Sequence, residues 1–367
     1  MPQFKDYILN IIPYKGGSVR EEKNIIKLSS NENPLGASPK AIEAIYKNLH
    51  QVSEYGFQDD HMFIKKLSDF FEGALLPEQF LPANSGMELL DLICRAFLSP
   101  GDSCILSSPT FMAYKNFAEL CGAKVIDVPL QNDSFSLDVH GIFAAVNEST
   151  KLIFISNPNN PTGSFISRAE MDELIKYLPD HVVLLYDEAY YQYVGKPDYP
   201  RAQDYIEKGK NVIGLHSFSK AYGLAGLRLG YIFSTTSIMS YLRHLRRPFM
   251  VNSLSMEAGM AALDDWLHLS KTLELNLSEK KWMYGRLDKL KVHFWKTEAN
   301  FILFRPKTDA VSFASKLLQE GIMVRSTSVM GAPDCIRVTI GTREMNEAFI
   351  VALTKIHLLD EKHNTEE

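Results

Sequence analysis

The 367-residue chain lacks the features typical of a membrane protein or a nucleic-acid-binding protein. No run approaches the ~20 apolar residues of a membrane helix, and residues 1–17 contain no apolar stretch typical of a secretion signal. A formal net charge of −5 gives no basic surface for nucleic acid. These absences favour a cytoplasmic globular protein, and the length allows one large domain with a smaller one.

Cysteine is scarce, with four residues that form no CxxC pair and show no metal-ligand spacing. The pattern excludes a disulfide framework and gives no sign of a metal site. We therefore expect these thiols to be buried apolar groups in a reducing compartment.

Short apolar strands alternate with amphipathic helices between about residue 80 and residue 235. We predict strands at 103–107, 124–129, 152–156, 182–187, 212–216 and 228–233. Several are apolar throughout, as in a parallel sheet covered on both faces. This order predicts an α/β sheet that binds ligands at the carboxyl ends of its strands.

The pattern changes after about residue 240, where a long helical region precedes further strands and helices. We therefore predict three parts. Residues 1–37 form an irregular arm that contributes to the small domain, 38–245 form the large α/β domain, and 246–367 form a small C-terminal α+β domain.

The most informative segment is 217–228, in which Ser217 and Ser219 precede Lys220, and Arg228 follows eight residues later. A buried lysine can lose its proton and attack an aldehyde to form an imine. Two hydroxyls and an arginine suit a phosphate dianion. An aldehyde and a phosphate on one small molecule indicate pyridoxal 5'-phosphate.

A second segment, 81–90, has the pattern of a helix start. Ser85 and Glu88 match a capping box, and the free amides of Ser85, Gly86 and Met87 would face an anion. Glycine at the second position would allow close approach of that anion. The alternative for this segment alone is an ordinary capped helix.

Polar and aromatic residues at three other strand ends supply what a pyridine ring needs. Asp187 ends a buried strand, where a protonated ring nitrogen would be its partner. Asn160 and Tyr190 can donate to a phenolate oxygen, and Phe111 offers a ring for stacking. Each of these residues alone also fits an ordinary role, as a turn residue, a capping aspartate or a core aromatic. Together they supply, at the ends of strands in one sheet, the groups that the cofactor needs.

These residues resemble fold-type I pyridoxal-phosphate aminotransferases, and within them the class II histidinol-phosphate aminotransferase family. The resemblance covers nearly the whole chain and is most specific at 29–36, 157–163, 187–190, 218–230 and 336–344. It implies a large domain with a mostly parallel seven-stranded sheet covered by helices and binding the cofactor, and a smaller α+β domain.

The resemblance assigns Lys220 to the internal aldimine and to proton transfer at the substrate Cα. It implies that Asp187 binds the pyridine nitrogen, that Asn160 and Tyr190 hold the phenolate oxygen, and that Phe111 stacks on the ring.

The resemblance also implies residues that bind the two phosphates and the substrate carboxylate. The cofactor phosphate is held by Ser217, Ser219, Arg228 and the amides of Ser85, Gly86 and Met87. Tyr55 reaches the cofactor phosphate of a neighbouring subunit, which implies a homodimer with a shared active site. The implied substrate-binding residues are Tyr14, Asn33, Arg325 and Arg337, with Arg337 on a carboxylate and Tyr14 and Arg325 on the phosphate of the substrate.

The predicted activity is a ping-pong transamination between L-histidinol phosphate and 2-oxoglutarate, giving imidazole acetol phosphate and glutamate in histidine biosynthesis. Two alternatives use the same cofactor, an aromatic amino-acid aminotransferase and, more distantly, a phosphothreonine decarboxylase-like enzyme. A regulator without enzymatic activity is a third alternative. It is disfavoured because the catalytic scaffold uses nearly all of the chain and leaves no basic helix-turn-helix segment.

Overall fold

The computed structural model describes residues 5–9, 11, 25–56 and 60–366. Tyr14, a predicted substrate residue, therefore lies outside the described residues. The N-terminal segment contributes helix α1 (Asp6–Leu9) and strand β1 (Ile26–Lys27). The arm was predicted to be irregular, so the strand is a correction.

A seven-stranded sheet forms the centre of the molecule. Its strands are β2 (Phe80–Ala83), β3 (Ser103–Leu106), β4 (Lys124–Asp127), β5 (Thr150–Ser156), β6 (Val183–Asp187), β7 (Val212–Ser217) and β8 (Gly230–Phe233). They lie in the order β2-β8-β7-β6-β5-β3-β4. Neighbours are parallel except at β8, which runs antiparallel to β2 and β7. The predicted mostly parallel seven-stranded sheet is confirmed.

Helices cover both faces of this sheet, which explains strands that are apolar throughout. They are α2 (Pro39–Asn48), α3 (His61–Phe70), α4 (Ser85–Phe97), α5 (Ala113–Leu120), α6 (Val139–Ala145), α7 (Arg168–Tyr177), α8 (Ala202–Ile206), α9 (Thr236–Arg243) and α10 (Ser253–Leu263). Leu184 and Tyr186 belong to the apolar cluster on one face, whereas Val183 and Leu185 belong to the cluster on the other. Each such burial stabilises the fold by about 1.5–3 kcal/mol.

Two helix starts are fixed by side-chain hydrogen bonds. Ser38 Oγ accepts from the backbone N of Ala41 at 3.3 Å, at the start of α2. Ser167 and Glu170 form a reciprocal capping box at the start of α7. Both caps satisfy amide groups that the first helical turn leaves without partners.

The remaining elements surround a third apolar cluster. They are α11 (Trp266–Lys289), β9 (His293–Phe294), β10 (Phe301–Arg305), α12 (Ala310–Gln319), β11 (Ile322–Met323), β12 (Arg325–Ser326), β13 (Ile336–Thr339) and α13 (Arg343–Glu366). Strands β12-β13-β10-β9 form an antiparallel sheet, and β1 pairs with β11 in parallel. The boundaries proposed at residues 37 and 245 stay predictions.

Among the described residues, five short 3-10 helices connect these elements, at Leu49–Ser53, Pro77–Gln79, Tyr191–Tyr193, Ala225–Leu227 and Ser328–Met330. Within the described part of the chain, no helix has the length and apolar character needed to cross a membrane.

Candidate active site

A cavity of about 470 Å³ opens at the carboxyl end of the central sheet. Its walls include most of the residues predicted to bind cofactor or substrate. These are Ser85, Gly86, Met87, Phe111, Asn160, Asp187, Tyr190, Ser217, Ser219, Lys220, Arg228, Arg325 and Arg337. Parallel strands end at the same edge of a sheet, so residues distant in sequence meet there.

Lys220 lies in the wall of the cavity with its amine on a backbone carbonyl. Its Nζ donates to the carbonyl oxygen of Ser30 at 3.0 Å and lies 5.7 Å from the centre of the Tyr190 ring. Burial of the amine and the nearby positive charge of Arg337 lower the pKa of Lys220 to about 8. A substantial fraction of the amine is therefore neutral near physiological pH, as a nucleophile or base requires.

Asp187 ends strand β6 with both carboxylate oxygens hydrogen-bonded. Oδ1 accepts from the backbone N of Ala189 at 2.9 Å, and Oδ2 accepts from the hydroxyl of Tyr114 at 2.7 Å. Burial raises the pKa of Asp187, and these two bonds oppose that rise. Sequence analysis missed Tyr114, although its position three residues after Phe111, at a helix start, was a usable signal.

Asn160 and Tyr190, the predicted ligands of the phenolate oxygen, are linked to strand β13 and to the N-terminal segment. Arg337 donates from Nη1 to Asn160 Oδ1 and from Nη2 to the carbonyl of Ser29 at 2.6 Å. Asn31 donates from Nδ2 to the Tyr190 hydroxyl at 2.9 Å. Asn31 is a second contact that sequence analysis missed.

The start of α4 supplies backbone amides to one end of the cavity. The predicted capping box of Ser85 with Glu88 is wrong, because Asn84 is the N-cap residue and Ser85 begins the helix with a φ of 85°. Glu88 instead accepts from the backbone N of Asn84 at 2.8 Å. Gly86 is closely packed, since a Cβ there would lie 3.3 Å from a methyl group of Leu215.

Ser217, Ser219 and Arg228 complete this end of the cavity. Ser217 Oγ accepts from the backbone N of Ser219 at 3.1 Å, and Arg228 donates from Nη1 to the carbonyl of Ala225 at 3.0 Å. Hydroxyls, a guanidinium and the amides of a helix start form a donor set that suits a dianionic phosphate. The carboxylate of Asp187 suits a cationic ring nitrogen, so the cavity fits pyridoxal phosphate chemically. No metal-binding cluster occurs among the described residues.

Two predicted residues do not line this cavity. Asn33 is buried and donates from Nδ2 to the carbonyl of Ala221 at 2.9 Å and to Thr272 Oγ1 at 3.0 Å. It thereby holds the residue that follows the lysine. Tyr55 is 84% exposed and stacks on Phe249 at 4.7 Å between ring centres.

A buried polar network lies behind the strand ends and was also missed. Glu188, which is fully buried, accepts from the hydroxyl of Tyr199 at 3.1 Å and from Nε2 of His216 at 3.1 Å, and pairs with Arg201 at 3.3 Å. Burial lowers the pKa of His216, and the hydrogen bond and charge of Glu188 oppose that shift. The network links the end of β6 to the end of β7, which carry two walls of the cavity.

A family model described as aminotransferase class I and II matches residues 23–353. The histidinol-phosphate aminotransferase of Moorella thermoacetica is 38% identical over 364 residues, which cover 97% of this chain and 93% of that relative. That of Caldicellulosiruptor saccharolyticus is 36% identical over 360 residues, covering 96% and 99%.

A solved histidinol-phosphate aminotransferase from Sinorhizobium meliloti, in complex with pyridoxal-5'-phosphate, superposes with a TM-score of 0.89. It is 24% identical, and the match covers 97% of this chain and 98% of that one. This likeness confirms the predicted fold.

Proposed function

The chain belongs to the class I and II aminotransferases, and from that premise we propose that it transfers the amino group of L-histidinol phosphate to 2-oxoglutarate. The products are imidazole acetol phosphate and glutamate, a step of histidine biosynthesis. The choice of substrate rests on the two relatives above, which are named histidinol-phosphate aminotransferase and match this chain over nearly their full length.

Two arginines in the cavity wall support a substrate with anionic groups. Arg325 and Arg337 are direct partners across the antiparallel strands β12 and β13, and both line the cavity. Directly opposite residues project from the same face of a sheet. We assign Arg337 to a carboxylate, such as that of glutamate or 2-oxoglutarate, and Arg325 to the phosphate of histidinol phosphate.

Pyridoxal 5'-phosphate is the cofactor, and when bound it supplies an aldehyde for the substrate amine and a cationic ring that withdraws electrons from Cα. We assign its phosphate to the hydroxyl, guanidinium and amide donors at the start of α4 and the end of β7. Asp187 would hold the ring nitrogen, Asn160 and Tyr190 the phenolate oxygen, and Phe111 one ring face.

Lys220, Ser30 and Asp187 then have separate roles in the proton transfer. Lys220 Nζ, neutral above its pKa of about 8, would accept the proton of the substrate Cα and donate it to C4′ of the cofactor within the same half-reaction. In the return half of the ping-pong cycle it would move a proton in the opposite direction. The carbonyl of Ser30 keeps this amine within the cavity wall while it is not engaged. Asp187, as a carboxylate, would balance the positive charge of the bound ring that draws electrons from Cα.

Replacing Arg325 with alanine tests the assignment of the substrate phosphate. We expect KM for histidinol phosphate to rise about tenfold to a hundredfold, because one charge-assisted hydrogen-bonding group is lost. Turnover of unphosphorylated histidinol should change little. Arg305→Ala, at an exposed arginine on strand β10 of the same sheet, is the matched control and should leave turnover of both substrates unaffected.

The wild-type comparison decides between the candidate activities. Equal kcat/KM for histidinol and histidinol phosphate would sink the proposed substrate. Preference for phenylalanine or tyrosine would favour the aromatic amino-acid aminotransferase, and release of carbon dioxide from phosphothreonine would favour the decarboxylase.

We also propose a cytoplasmic homodimer with a shared active site. Exposed Tyr55 stacks on Phe249, and Tyr46 and Val52, earlier in the same part of the chain, are exposed as well, which suits contact with a second copy. The four cysteines are free thiols, as in a reducing compartment. Sedimentation should give twice the chain mass of 41.5 kDa, and a monomer would contradict the dimer. Cell fractionation tests the location.

A further inference from the structure

Tyr114 is a buried wall residue of the cavity whose ring is fixed by two other aromatic rings. It is 1% exposed. Its ring stacks on Phe154 of β5, with centres 5.2 Å apart and planes 15° apart. The edge of Phe111 meets it at 5.7 Å and 88°. This packing leaves the hydroxyl one direction in which to point.

The hydroxyl points at Asp187. It donates to Oδ2 at 2.7 Å, while the backbone N of Ala189 donates to Oδ1 at 2.9 Å. Each oxygen of the carboxylate therefore has one donor fixed by the protein, and the plane of the group is set. A buried carboxylate with such donors keeps its charge more easily than one without them.

The surroundings of Tyr114 and Asp187 determine which of the two side chains carries the proton in this hydrogen bond. Burial and the adjacent charge of Asp187 raise the pKa of Tyr114 well above its usual range, so the phenol keeps its proton. Among the other ionisable groups around Asp187, the charge of Glu188 raises the pKa of Asp187 and the charge of Lys220 lowers it. Tyr114 is therefore the donor in this bond.

We propose that Tyr114 is a positioning residue that acts through Asp187, fixing one carboxylate oxygen so that the group is aimed, as an anion, at the ring nitrogen of the cofactor. The inference rests on the proposed use of pyridoxal phosphate. It adds a residue 73 positions away in sequence to the machinery that keeps the cofactor ring protonated.

The test is Tyr114→Phe in the full-length protein, which removes one oxygen atom and leaves the ring packing intact. The matched control is Tyr205→Phe, because Tyr205 is also buried and its hydroxyl donates to Asp172 Oδ1 at the same 2.7 Å, outside the cavity. Both variants should melt within a few degrees of the wild type.

Two readouts besides activity separate positioning from simple folding effects. The first is the dissociation constant of pyridoxal phosphate as a function of pH, which should rise about tenfold in Tyr114→Phe. In both proteins the dissociation constant should increase as the pH falls and Asp187 takes up a proton. In Tyr114→Phe this increase should begin at a higher pH, because the pKa of Asp187 is raised when a donor is lost. The second is nitrogen NMR of cofactor labelled at the ring nitrogen, whose signal should move toward unprotonated pyridine.

A double-mutant cycle completes the test. In an Asp187→Ala background, Tyr114→Phe should have no further effect on either readout. Equal losses in both backgrounds, or a Tyr114→Phe variant with wild-type affinity and ring-nitrogen signal at every pH, would overturn the inference. Failure of the wild type to bind the cofactor would instead overturn the proposed function on which the inference rests.

Discussion

Lys220→Ala is expected to lower kcat for transamination by at least about a thousandfold, because it removes the group that transfers the Cα proton. The protein should still fold, since the hydrogen bond that is lost joins the amine to the backbone carbonyl of Ser30. Pyridoxal phosphate should still bind, held through its phosphate. Steady-state rates with histidinol phosphate and 2-oxoglutarate measure the loss.

A second buried lysine provides the control for this variant. Lys280 is 6% exposed, donates from Nζ to the carbonyl of Thr297 at 3.0 Å, and has its pKa lowered by burial. It lies outside the cavity wall. Lys280→Ala should keep the wild-type rate per folded molecule, which isolates the chemistry of Lys220 from the effect of removing a buried amine. Normal turnover in Lys220→Ala would contradict the mechanism.

Asp187→Ala is expected to weaken cofactor binding and to slow proton removal by about a hundredfold. The cost of losing one partner of a buried charge pair is about 2–5 kcal/mol, which corresponds to a factor of about 30 to 5,000 and so includes the expected hundredfold. The melting temperature should change little, because burial already disfavours the carboxylate and Tyr114 can find water in the enlarged cavity. Single-turnover spectroscopy separates binding from the proton-transfer step.

Asp172→Ala serves as the control for that variant, because Asp172 also accepts a tyrosine hydroxyl at 2.7 Å but is exposed and remote from the cavity. An unchanged rate of proton removal in Asp187→Ala would mean that the ring nitrogen has a different partner.

Local pattern was sufficient to predict the strands that are buried on both faces. The strand predicted at 182–187 is observed at Val183–Asp187, and that at 212–216 is observed at Val212–Ser217. Strand β2 was missed because it has four residues and contains Pro82, which argues against a central strand. In the structure β2 lies at the edge of the sheet, where proline is tolerated, and pairs with β8 alone.

The site was predictable where function imposes a residue type on a short segment, as at Lys220 with its serines and Arg228. It was not predictable where a contact depends on tertiary placement. Asn31 reaches Tyr190 across 159 residues of sequence. Neither its polarity nor its neighbours distinguish it from a turn asparagine, so only the fold reveals that contact.

The most direct test of the central claim is the visible absorbance of the cofactor-loaded protein on addition of L-histidinol phosphate alone, without a 2-oxo acid. We expect a yellow protein whose visible band is bleached by one equivalent of histidinol phosphate per subunit and returns when 2-oxoglutarate is added. Bleaching by phenylalanine or tyrosine but not by histidinol phosphate would keep the aminotransferase and reject the substrate. A protein that stays colourless in the presence of pyridoxal phosphate would contradict both the cofactor and the proposed transamination.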